Sequence, residues 1–140
     1  MTFEQLKENW NTRPITDSNL ADVVDLFLAL RDRHRNSLLL LITDDAGRPI
    51  PTPIMLNEVD WHIDPTQDRN FIEFLTMIAD HGSGVLVGIG HPQPGVTLDD
   101  LRWRAALAKI LPRIGLHPLG FFTGDMDTVV PIPDSADLAA

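Results

Sequence analysis

Apolar residues recur along the chain with two periods, about 3.6 and 2, and the alternation between them predicts its elements. Phe3, Leu6 and Trp10 share one helical side, so a short helix is expected from Phe3 to Trp10, broken by Asn11-Thr12-Arg13-Pro14. Leu20, Val23, Val24, Phe27 and Leu30 predict a second helix, capped by Asp17 or Ser18 and running to about His34. Ser37 to Thr43 is a continuous aliphatic run between turn residues, the pattern of a buried strand. Asp44-Asp45-Ala46-Gly47-Arg48 is a turn in which Gly47 can take a positive φ. A second strand is expected over Ile50 to Leu56. Pro49, Pro51 and Pro53 alternate there, and proline cannot donate to a ladder, so this strand must be irregular or at an edge.

Asn57 to Gln67 is expected as a loop anchored by Trp61 and Ile63. Asp68 or Asn70 opens a helix with Phe71, Ile72, Leu75, Ile78 and Ala79 on one face, closed by Gly82. Val85 to Gly90 is a central-strand candidate, and His91 to Val96 a loop with two prolines and a glycine. Thr97-Leu98-Asp99-Asp100 has the form of a capping box. The helix behind it is expected to turn Leu101, Ala105, Ala108 and Leu111 inward, to end or kink at Pro112 and to close at Gly115. Leu116 to Thr123 and Thr128 to Ile132 complete the pattern as strands about a Gly124-Asp125 turn. The order α-α-β-β-α-β-α-β-β implies a three-layer α/β (α+β) domain with helices over a mixed sheet. Residues 19–133 would form that domain, residues 1–18 a short helix and linker, and 134–140 a frayed acidic tail.

Composition narrows the function. A length of 140 residues suits one domain, and 44% apolar with 22% charged residues excludes wholesale disorder. The absence of cysteine excludes disulfides, thiolate metal sites and a cysteine nucleophile. Eleven basic against twenty acidic residues give a formal charge of −9, so no nucleic-acid partner is expected. Arg31, Arg33, His34 and Arg35 are expected as the charged end of a helix, where cations complement the macrodipole. The opening Met1 to Leu6 is not a signal peptide, and the longest aliphatic run, Leu38 to Ile42, falls far short of the roughly 20 residues that span a bilayer. A cytoplasmic location without membrane contact is the expectation.

One segment could carry chemistry. Gly88-Ile89-Gly90-His91-Pro92 ends a strand, and Asp100 lies at the next helix start, so His91 and Asp100 could turn a nitrogen and an oxygen ligand toward one cation. A metal needs a third ligand, for which His62 is the candidate. The plainer alternative is an ordinary His-Pro loop followed by an ordinary Thr97 cap. His34, His81 and His117 have structural explanations. No nucleophile elbow, dinucleotide fingerprint or P-loop is present. Trp103, between Arg102 and Arg104, is either an exposed contact anchor or the cover of a seam between helix and loop.

These features resemble the JAB/MPN metalloprotease family in its RadC-like form, and with it the JAB/cytidine-deaminase-like architecture. Residues 21–35 are similar to its leading helix, and Leu38 to Arg48 to its first hairpin. Val85 to Pro92 is similar to the strand that ends in H-x-H-P, and Thr97 to Asp100 to the S-x-x-D helix start. The resemblance implies that His91 and Asp100 stand where zinc ligands stand, and Thr97 where a serine supports the tetrahedral intermediate. It places Ile89 where the other histidine ligand belongs. The family's catalytic glutamate belongs near Thr52-Pro53, where there is no acid; Glu58 is the nearest. Such a site lacks both a ligand and the base that deprotonates the metal-bound water. The expectation is therefore a non-catalytic domain without a cofactor, binding protein or a second copy of itself, with Trp103 and Arg102 as candidate contacts. A divergent zinc-dependent hydrolase using His91, Asp100 and His62 is the alternative.

Overall fold

A computed structural model describes residue 15 and residues 19–50 and 53–134. The expected Phe3–Trp10 helix, the Asp17 and Ser18 caps and the tail beyond Asp134 lie outside the described residues. The elements are α1 (Leu20–Phe27), α2 (Leu30–His34), β1 (Ser37–Thr43), β2 (Ile54–Leu56), a 3₁₀ turn (Pro65–Gln67), α3 (Arg69–Ala79), β3 (Gly84–Gly90), α4 (Leu98–Arg113), β4 (His117–Gly124) and β5 (Val129–Pro131). The described residues thus hold a five-stranded mixed sheet and four α-helices.

The sheet order is β2-β1-β3-β4-β5. β1 and β3 pair antiparallel over their whole length, from Ser37 opposite Gly90 to Thr43 opposite Gly84. β3 and β4 run parallel, a pairing that needs the crossover α4 supplies. Both β1 and β3 are buried at every position because helices cover both faces. Leu38, Leu40, Ile42, Val85, Val87 and Ile89 face α3 and α4. Leu39, Leu41 and Leu86 face α1, against Leu20, Val23 and Val24. Each fully buried leucine contributes about 2–3 kcal/mol relative to exposure.

β2 lies at an edge, as its prolines require, but spans only Ile54–Leu56, with Pro49 held by a single bridge to Thr43. Gly47 has φ +80° in the expected turn, and Asp44 closes it by accepting from the Ala46 and Arg48 amides.

Four expectations need correction. The helix expected over Leu20 to His34 is two helices, parted where Ala29 is extended (φ −64°, ψ 158°). Leu28 is fully buried at the break, while Leu30, expected inward, is 53% exposed. The break lays α2 across the ends of β3 and β4. Glycine makes that approach feasible, since a Cβ at Gly90 would lie 3.1 Å from Arg33 Cα and one at Gly124 2.9 Å from Leu28 Cδ2. Second, Gly82 does not cap α3, which ends at Ala79 with Asp80 as its C-cap; Gly82 is needed because a Cβ would lie 2.6 Å from the Thr43 carbonyl oxygen. Third, Ile63 is exposed, and Trp61 anchors the loop together with Pro65 and the partly buried Val59. Fourth, α4 buries Trp103, Ala106, Leu107, Ile110 and Leu111 together with Asp100, whereas Leu101, Ala105 and Ala108 are only partly covered. A buried carboxylate at the helix start rotates the inward face away from the purely apolar stripe.

Candidate functional site

β3 occupies the middle of the sheet and delivers His91 at its carboxyl end, the usual location of sites in open sheets. The His91 amide donates to the Gly124 carbonyl at 3.1 Å, so the residue is fixed where β3 and β4 stop. Its ring reaches the first turn of α4, with Nε2 2.8 Å from Asp100 Oδ2. Each of the two residues is 1% exposed.

Asp100 is committed twice. Its Oδ2 also accepts from the Thr97 amide at 2.8 Å, while Thr97 Oγ1 accepts from the Asp100 amide at 3.1 Å. The expected capping box therefore forms, with His91 bound to its carboxylate. A carboxylate that already accepts an N–H makes His91 Nε2 the donor, which leaves Nδ1 as the acceptor of the neutral ring. Nδ1 makes no hydrogen bond within the chain.

A second carboxylate supports the loop. Asp125 Oδ2 accepts from the Gly95 amide at 2.7 Å, and Oδ1 accepts from the Asp127 and Thr128 amides at 2.8 and 2.9 Å. Burial pushes the Asp125 pKa up, but these three donors and the nearby His91 outweigh it and hold the carboxyl below its ordinary value. For His91, burial disfavours the cation. The hydrogen bond and charge of Asp100, helped by the Gln93 main chain and Asp125, prevail and raise its pKa above the ordinary 6.5.

Arg33 completes this end of the molecule. It lies in the last turn of α2, at the charged helix end expected, and is 3% exposed. Nε donates to the Leu28 carbonyl at 2.7 Å, Nη1 to the Asp125 carbonyl at 3.1 Å and Nη2 to Asp25 Oδ1 at 2.8 Å. The helix break exposes the Leu28 carbonyl to this guanidinium, and the buried charge locks α2 to the β4–β5 turn.

A cleft of about 430 Å³ opens beside His91, with Asp60, Trp61, His62, Thr97 and Asp99 among its walls. The structure thus brings His91, Thr97, Asp100 and His62 into one neighbourhood. It joins the first three by hydrogen bonds and leaves His62 apart. The His62 side chain is 86% exposed, with Nδ1 3.5 Å from Asp99 Oδ2. Among the described residues, no three His, Asp or Glu side chains converge as a metal-binding set. Ile89 points into the core under α3 and α4. Glu58 is exposed, has φ +57° and lies 3.6 Å from Arg35. Pro53 is described, Thr52 is not.

Trp103 is not an exposed anchor. It is 4% exposed, its Nε1 donates to the Trp61 carbonyl at 2.8 Å, and its ring meets Trp61 edge-on at 5.0 Å. It seals the seam between α4 and the loop that forms one cleft wall. Arg102 is exposed and holds Asp99 at 2.6 Å. Asp125 and Arg33 were missed from sequence. Asp125 had a signal, since an Asp two and three residues before turn amides is an Asx turn. Arg33 had none, because its burial depends on Asp125, 92 residues away, as well as on Asp25 and Leu28 across the helix break.

No family profile and no curated protein matches this chain significantly. Fold and site define a small mixed α/β domain with a buried His–Asp pair at the end of its central strand.

Proposed function

We propose that this chain is a non-catalytic, JAB-like domain that acts as a protein-interaction module. The observation that carries the reading is the direct 2.8 Å bond between His91 and Asp100 inside the protein. Releasing Asp100 to a cation would break a charge-assisted hydrogen bond worth about 1.5–3 kcal/mol and disturb a cap worth about 1 kcal/mol. The element order, the interior position of β3 and the loop from His91 to the Thr97 cap support the RadC-like resemblance. The substitution of Ile89 for a ligand, with its side chain in the core, supports the loss of activity.

The partner is a protein, with a second copy of the chain as the symmetric variant. β2 offers an edge for strand addition, but its prolines keep such a pairing short. The test is the metal content of chain purified without a histidine tag in zinc-supplemented medium. The reading expects well below one zinc per chain, unchanged by His91→Ala. Stoichiometric zinc that His91→Ala abolishes would instead establish the divergent hydrolase using His91, Asp100 and His62.

A further inference from the structure

The cleft beside His91 has a chemical bias. Its walls carry the carboxylates of Asp60 and Asp99 and the neutral polar groups of Asn36, Gln93 and Thr97, and none of its lining residues is Lys or Arg. Arg102 engages Asp99 Oδ1, while Asp99 Oδ2 is turned toward His62 at 3.5 Å. Trp61 adds an aromatic wall, a surface that favours cations. His91 belongs to the same wall and is 1% exposed, with an Nδ1 that makes no hydrogen bond. Two carboxylates thus face the space, and its volume lies in the range of small-ligand pockets.

The rim is apolar. Ile63, Val96 and Leu98 are 44%, 36% and 78% exposed, and each is adjacent in sequence to a residue of the cleft wall. They are three of the six exposed large apolar side chains among the described residues, so half of that exposure lies next in sequence to the cleft wall. The chain as a whole carries a formal charge of −9, which favours a cationic segment at this cleft.

We propose that this cleft receives a Lys or Arg side chain from a partner protein, with apolar side chains of the same segment laid on Ile63, Val96 and Leu98. The proposal rests on the interaction-module reading above and specifies its partner. The cation sits between Asp60 and Asp99 against Trp61. The rim selects a basic residue with apolar neighbours over a bare amine.

The test uses the ¹⁵N-labelled full chain and three blocked tripeptides, acetyl-Leu-Arg-Leu-amide, acetyl-Leu-Glu-Leu-amide and acetyl-Gly-Arg-Gly-amide. The Leu-Arg-Leu peptide should shift the His62, Gln93 and Thr97 amides saturably. The Gly-Arg-Gly peptide should bind more weakly and the Leu-Glu-Leu peptide should leave those amides in place. Asp60→Asn combined with Asp99→Asn should weaken Leu-Arg-Leu binding by about threefold or more, the scale of exposed charge pairs. Leu98→Ser should weaken Leu-Arg-Leu and leave Gly-Arg-Gly unchanged. Equal shifts from the acidic and basic peptides, or none from any peptide, overturn the proposal. The zinc measurement judges the interaction-module reading separately, so the two can fail independently.

Discussion

His91 and Asp100 form a pair whose worth depends on pH. The His91 pKa is raised in the folded chain above its ordinary 6.5. The folded state therefore holds the proton more tightly, and the associated stability is fully present below about pH 6.5 and lost as pH rises through the folded value. Asp125 has the opposite sign. Its folded pKa lies below the ordinary 3.8, so its contribution is present above that value and is lost as pH falls through the folded one. Urea unfolding across pH 5 to 9 should show a decline on the alkaline side that His91→Gln removes. An unchanged alkaline slope in that variant would assign the decline to another group. Asp100→Asn keeps the size of the side chain but loses the charge that holds both His91 and the Thr97 amide. It should cost about 2–3 kcal/mol in the same assay, with the His91 ring titration moved down in NMR.

At the level of elements, the joint between α1 and α2 organises the candidate site. The chain stops being helical at Ala29, turns across the ends of β3 and β4 and buries Arg33 there. This geometry needs glycine beneath it. Gly124→Ala would set a methyl group 2.9 Å from both Arg33 Nε and Leu28 Cδ2. Overpacking of that kind costs about 1–3 kcal/mol, and thermal unfolding should register it. Arg33→Ala should cost more, about 2–4 kcal/mol, because two main-chain carbonyls lose a charged donor. If Arg33→Ala were neutral, the guanidinium would not be what fastens α2 to the β4–β5 turn.

For the whole molecule, two covered faces around β1 and β3 concentrate stability in the centre of the sheet. Leu38 to Leu41 and Val85 to Val87 are fully buried, whereas β2 and β5 are edge strands of three residues each. Native-state hydrogen exchange should find the slowest amides in β1 and β3 and much faster exchange in β2. Slow exchange throughout β2 would mean that the edge is covered in solution, as strand pairing with a second copy would do. Among the described residues, no helix is long and apolar enough to cross a membrane.

Much of the fold follows from short-range patterns. β1 and β3 were evident as aliphatic runs, the turn at Gly47 from its composition, the edge position of β2 from its prolines, and the start of α4 from Thr97 and Asp100. Each of these depends on the backbone preferences or hydrogen-bonding groups of residues adjacent in sequence. The approach of His91 to Asp100 was readable for the same reason, since one loop and one helical turn separate them. The sequence by itself thus determined an α/β domain with a histidine at the end of a central strand beside a capped helix. Tertiary structure decided which face of α4 is buried, that Trp103 is a seam residue, that α1 and α2 part at Ala29, and that Arg33 and Asp125 bind the loops around the site. Those outcomes turn on burial and on partners far apart along the chain, where desolvation and packing outweigh any preference a local pattern expresses.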